Sequence, residues 1–205
     1  MFDLFKNLKE KSFIIAEIGS NHQGSLDLAK QLIIEAKKNG ASAVKFQKRS
    51  NKNLFTSKLY NQTYDNKNSF GLTYGMHREA LEFGKKEFED ISSFCKAQDI
   101  FFFSTAFDLQ SVDFLNDIGV QLFKVASADL INIPLINYIA SQNKTIILST
   151  GGGTMDDIKQ AAHTVFKHHD KLVILHCTAS YPVVYTDMNL NVIKKLKEEF
   201  PEQVI

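Results

Sequence analysis

Six short runs rich in β-branched and aromatic residues, at 13–18, 43–46, 100–103, 122–126, 145–148 and 172–175, constrain this chain more than any other feature. Each is short enough for a buried strand and is bounded by turn-forming residues. Between them lie amphipathic segments with helical spacing. In the clearest, 25–39, Leu28, Ala29, Leu32, Ile33 and Ala36 fall on one face and Gly40 stands at the stop. Segments 87–97, 109–118, 133–142, 155–168 and 189–200 read as helices on the same grounds. Strand followed by helix, six times over, specifies a parallel sheet of βα units.

The spacing suits either a (β/α)8 barrel or an open doubly wound sheet. A complete barrel takes about 250 residues. This chain has 205, holds six units, and reaches Val204 and Ile205 where a seventh strand would begin. The expectation is an α/β fold, a (β/α)8 TIM-type barrel that is incomplete, with the last two strands missing and residues 1–205 forming a single domain. A hydrophobic content of 44% supplies its core without disulfide or metal staples. The net charge of +1 provides no global field for nucleic acid or an anionic membrane, so an anion site has to be built locally. Cys95 and Cys177 lack CxxC spacing, which points to a reduced compartment. The first 17 residues alternate apolar and charged side chains with no long apolar run, which points to a cytoplasmic protein.

Both folds place active sites at the carboxyl ends of the strands. The first run ends in Glu17, followed by Asn21 and His22. A carboxylate there costs several kcal/mol if buried without a partner. In VKFQKRS, Lys45 and Gln47 share one face while Val44 and Phe46 share the other. The polar pair faces inward if the apolar pair packs on helices. The other ends carry Ser104 and Thr105, then Lys124, Ser127 and Asp129, then Ser149 and Thr150 before three glycines, then His176, Cys177 and Thr178. Two lysines, several hydroxyls and a Gly-rich turn entering a helix make an anion site, and the two ammonium groups compensate Glu17. A small phosphorylated or carboxylated substrate follows. Taken singly, Lys45 could be a snorkelling surface lysine and His176 a hydrogen-bonded core histidine or a metal ligand. Cys177 reads as a packed thiol, and Tyr181 as a pocket wall or loop packing. His163, His168 and His169 read as solvated.

The ordered motifs IIAEIGSNHQGSLDLAKQLI, AVKFQ, STAFD, FKVASAD, LSTGG and LHCTASYPV resemble the sialic acid (N-acetylneuraminate) synthase family, over residues 13–190. The resemblance implies condensation of phosphoenolpyruvate with an open-chain N-acetylated amino sugar on a (β/α)8 barrel, with Mn²⁺ or Mg²⁺. It implies that Lys45, Thr105, Lys124, Ser127 and Ser149 hold the phosphate and carboxylate. Glu17 would lie near the reacting carbons, and Gln47, Asp129 and Tyr181 would contact the sugar. Asn21 and His22 join the substrate-binding set. His176 would be one of two histidine metal ligands, the second lying in a motif beyond Ile205. Asp129 stands where most members have Glu, Ala106 replaces a Pro, and STGGG replaces STGM. The small C-terminal antifreeze-like domain of the family is not in this sequence. Unpaired sheet edges would favour a homo-oligomer, a dimer being the expectation. The competing reading is a non-catalytic fragment that binds anions or a partner chain. A Schiff-base aldolase using Lys124 or Lys45 is a third reading.

Overall fold

The computed structural model describes residues 12–205. The charged and apolar alternation of residues 1–11 lies outside the described residues. Contacts divide the chain into two compact units, one of them Ser12–Val120 and the other built on Gln121–Ile205. Both follow the βα alternation of an incomplete TIM-type barrel.

In Ser12–Val120, β1 (Ile15–Gly19), β2 (Ala43–Lys48) and β3 (Phe101–Ala106) run parallel in sequence order. Helix α1 (Leu26–Lys38) returns the chain from β1 to β2. Ser25 caps it by accepting from the Leu28 amide, Ala29 and Ile33 are buried, and Gly40 supplies the left-handed φ of +84° just past its end. Val44 and Phe46 of β2 are fully buried. Phe46 packs edge-on against Phe88 of a following helix, so the apolar face of β2 meets the helix layer and Lys45 and Gln47 take the other face.

Between β2 and that helix, α5 (Lys85–Ala97), lie three short helices: α2 (Asn51–Leu54), α3 (Ser57–Tyr60) and α4 (Tyr74–Ala80). The ring of Tyr74 contacts those of Phe55 and Tyr64 and holds this excursion together. Sequence periodicity did not announce these helices, because a four-residue turn is too short to show a 3.6-residue repeat. Helix α6 (Leu109–Ile118) follows β3 and is capped by Asp108.

In the second unit, β4 (Leu122–Val125), β5 (Thr145–Ser149) and β6 (Leu172–Leu175) are again parallel and in order. They are joined by α7 (Ile133–Ser141) and α8 (Met155–Phe166), with α9 (Val192–Glu199) after β6. Val204 makes a parallel bridge to Val173, and its carbonyl accepts from the Ile174 amide. The chain thus returns alongside β6 where the sequence places a further strand. Predicted and observed strands differ mainly at their carboxyl ends, where β2 and β3 run two to three residues further than their apolar cores. No helix among the described residues is long and apolar enough to cross a membrane.

Candidate active site

The strand register of the first unit brings one polar cluster together. Glu17 pairs with Lys45 across β1 and β2, and Gln47 pairs with Thr105 across β2 and β3. Lys45 Nζ lies 2.6 Å from Glu17 Oε2 and donates to Thr105 Oγ1 at 2.8 Å. Gln47 Nε2 donates to Glu17 Oε1 at 3.5 Å. Lys45 is 7% exposed, and burial pulls its pKa below the ordinary 10.5 despite the adjacent carboxylate. Glu17 is half exposed, so the carboxylate at the end of an apolar strand is compensated by the ammonium on one side and reached by solvent on the other.

The backbone makes room for this pair. The β1–β2 register shifts between Glu17 and Gly19, and Gly19 has φ +55°. A Cβ there would stand 2.9 Å from Glu17 Oε1 and 3.3 Å from Gln47 Nε2, so glycine at a bulge is what lets the two side chains meet.

Asn21 and His22 follow in the turn. Asn21 is exposed, its amide donating to the Ile18 carbonyl. His22 is only 3% exposed and stacks on Phe83 with centroids 4.0 Å apart, and its Nδ1 accepts from the Gly24 amide. Burial drives its pKa from 6.5 down to about 4, against a smaller opposing effect of a hydrogen bond to Gly19. The imidazole is therefore a neutral pin for the loop. With the folded pKa depressed, the unfolded chain binds the extra proton first, so stability is lost as pH falls from 6.5 toward about 4. The expected loss is about 2–3 kcal/mol. Urea unfolding across that window should show it, and His22→Gln should flatten that part of the profile. An equal slope in the variant would assign the acid sensitivity to other groups.

The second unit holds its own cluster. Lys124, 8% exposed on β4, donates to Ser149 Oγ on β5 at 2.5 Å and to the Val125 carbonyl at 2.7 Å. Cys177 Sγ donates to the same Ser149 oxygen at 3.3 Å. Cys177, which the sequence reads as a packed thiol, is half-buried against this hydroxyl. The chain leaves β6 after Leu175, so period-two alternation no longer governs where residue 177 points.

Ser127 Oγ accepts from the Gly151 amide at 3.0 Å and holds the Gly-rich turn. Thr154 caps α8 and Asp157 reciprocates, so a carboxylate of the chain itself occupies the N-terminus that follows the glycines. The buried cation at the strand ends of this unit is Lys124, held by its hydroxyl partner Ser149. Asp129 Oδ1 accepts from Asn132 at 3.2 Å in a short 3-10 turn. Tyr181 is 96% exposed and stands in solvent. His176 Nε2 donates to the Met188 carbonyl at 2.6 Å, which leaves Nδ1 as the lone-pair nitrogen. A backbone carbonyl behind one ring nitrogen is the usual arrangement for a ligating histidine. Among the described residues, however, no three His, Cys, Asp or Glu side chains group as a metal site.

One functional candidate escaped the strand-end comparison altogether. Arg49 donates from Nη1 to Gln47 Oε1 at 2.8 Å, and its guanidinium lies 3.7 Å above the Phe107 ring. Its backbone amide donates to Glu82, whose carboxyl burial raises in pKa and which also pairs with Lys48 at 3.3 Å. Only the alternation of VKFQKRS hinted at it, since Arg49 repeats the parity of Lys45 and Gln47.

Residues 32–204 match the model of the NeuB family. The chain is 38% identical over 194 residues to N-acetylneuraminate-9-phosphate synthase of Mus musculus, covering 95% of this chain and 54% of that protein. It is 38% identical over 195 residues to N,N'-diacetyllegionaminic acid synthase of Campylobacter jejuni, covering 93% and 58%. The crystal structure of N-acetylneuraminic acid (sialic acid) synthetase from Leptospira borgpetersenii, in complex with citrate, superposes with a TM-score of 0.80 at 34% identity, over 93% of this chain and 62% of that one. The chain spans about half the length of the curated relatives it matches. On this agreement of sequence and fold, the chain belongs to the NeuB family.

Proposed function

We propose that this chain carries the phosphoenolpyruvate-binding part of a nonulosonic acid synthase, which joins phosphoenolpyruvate to an N-acetylated amino sugar of the N-acetylmannosamine type and releases phosphate. The observation that carries the reading is a buried lysine on a strand, hydrogen-bonded to a hydroxyl on the next strand, in each unit of a NeuB chain. Lysines held in low dielectric before the ligand arrives bind anions with little reorganisation. The relative from Leptospira borgpetersenii was solved in complex with citrate, itself a small polyanion.

In this reading Lys45 with Thr105, and Lys124 with Ser149 and Ser127, hold the phosphate and carboxylate. The C2=C3 π pair of phosphoenolpyruvate forms the new C–C bond to the aldehyde carbon, while the aldehyde C=O π pair moves to its oxygen, which takes a proton to become a hydroxyl. Water then adds at C2, its proton passes to solvent or a nearby base, and inorganic phosphate departs. Positive charge develops at C2, where the half-exposed Glu17 carboxylate provides stabilisation and a place for a proton. Gln47, Asp129 and Tyr181 form the sugar-contacting set, Asn21 belongs to the wider substrate-binding set, and the buried His22 serves it by holding the loop. His176 offers one ligand to a divalent ion, Mn²⁺ or Mg²⁺, and such an ion, when bound, polarises the aldehyde oxygen. The setting is cytoplasmic, and the assembly a dimer.

The test is phosphate release from phosphoenolpyruvate with N-acetylmannosamine and Mn²⁺ present. Release that requires both substrates supports the proposal. Release at the same rate without the sugar, or none with any N-acetylated amino sugar, would overturn it.

A further inference from the structure

The Gln47 amide is held between two groups of opposite demand. Arginine has only donors, and Arg49 Nη1 lies 2.8 Å from Gln47 Oε1. A carboxylate has only acceptors, and Glu17 Oε1 lies 3.5 Å from Gln47 Nε2. Both neighbours require the same amide orientation, with carbonyl toward Arg49 and nitrogen toward Glu17. The guanidinium itself is fixed by stacking 3.7 Å from the Phe107 ring, just after β3. Its backbone is tethered by Glu82, which Lys48 anchors in turn. The chain of contacts therefore runs Phe107, Arg49, Gln47, Glu17, Lys45, Thr105, within one unit.

We infer that Arg49 is a positioning residue: it locks the Gln47 amide with its N–H edge toward Glu17, so that the site offers the amino sugar a hydrogen-bond donor of fixed direction at this point. The charge on Arg49 polarises the amide and strengthens that donor. The sugar group that meets it is an acceptor oxygen, such as an N-acetyl carbonyl or a hydroxyl. A lysine at position 49 cannot substitute, since an ammonium lacks the planar face that stacks on Phe107. The inference rests on the proposed role of Gln47 as a sugar contact.

Two readouts test it separately. In the ¹⁵N-labelled chain, the Gln47 side-chain amide, assigned by its loss in Gln47→Ala, should exchange slowly and resonate away from free glutamine. Arg49→Ala should return it to free values, and Arg49→Lys should not restore it. Titration with N-acetylmannosamine should show about tenfold weaker binding in Arg49→Ala with phosphoenolpyruvate affinity unchanged, and no further loss when Arg49→Ala is added to Gln47→Ala. A Gln47 amide signal unmoved by Arg49→Ala, or additive losses in the double variant, would overturn the inference. A shifted amide signal in a chain that binds no amino sugar would keep the positioning and refute the proposed role of Gln47.

Discussion

Lys124→Met is expected to weaken phosphoenolpyruvate binding by at least about a hundredfold and to leave the fold as stable as before or more so. An ammonium hydrogen-bonded to a phosphate or carboxylate away from water contributes about 3 kcal/mol, which is that factor in affinity. Lys124 is 8% exposed, so its charge is largely desolvated before any ligand binds. Methionine has similar length and no charge, and replacing a buried charge by an apolar side chain of like volume is often neutral or stabilising. Ser149 keeps the Cys177 thiol as a neighbour. Calorimetric titration and a thermal melt on the same samples separate the two effects. Undiminished affinity would remove Lys124 from the anion site, and a collapse of the melt would make it a structural residue.

Glu17→Gln acts mainly through Lys45, and its effect depends on pH with a definite sign. The variant keeps shape and removes the charge 2.6 Å from Lys45 Nζ. A buried ammonium without that charge costs about 1–3 kcal/mol, below the figure for a fully buried pair because Glu17 is half exposed. Burial already holds the folded pKa of Lys45 below 10.5, so between the folded and unfolded values the unfolded chain binds more protons and stability rises with pH. Glu17→Gln lowers the folded value further. Its deficit is therefore full below the variant's folded pKa, shrinks as pH climbs through that value, and is gone above the folded pKa of the unmodified chain. Urea unfolding at a series of pH values from neutral to alkaline measures this. A deficit constant across the series would mean that Glu17 does not interact with a protonated Lys45.

Much of this architecture is legible in the sequence because parallel strands buried on helices must be continuous apolar runs. All six runs became strands, and the predicted span of α6, Leu109–Ile118, matches the observed helix. Period-two alternation in β2 correctly sent Phe46 to the helix layer and Lys45 to the opposite face. The three helices between β2 and α5 stayed hidden because each is too short for periodicity and their cohesion comes from contacts among Phe55, Tyr64 and Tyr74. Cys177 lies past the end of β6, where strand parity no longer says which side chain its thiol meets. His22 carries a polar name, yet it lies under its loop against Phe83, a contact 61 residues away that no local pattern encodes. Arg49 was overlooked for a related reason, since its importance lies in Phe107 beneath it.

Lys45 and Lys124 are proposed here as anion ligands held ready on strands. Calorimetric titration of the unmodified chain, Lys45→Met and Lys124→Met with phosphoenolpyruvate tests this most directly. The expected result is saturable binding to the unmodified chain that either substitution abolishes, with both variants still folded by circular dichroism. Binding of equal affinity in both folded variants would contradict it.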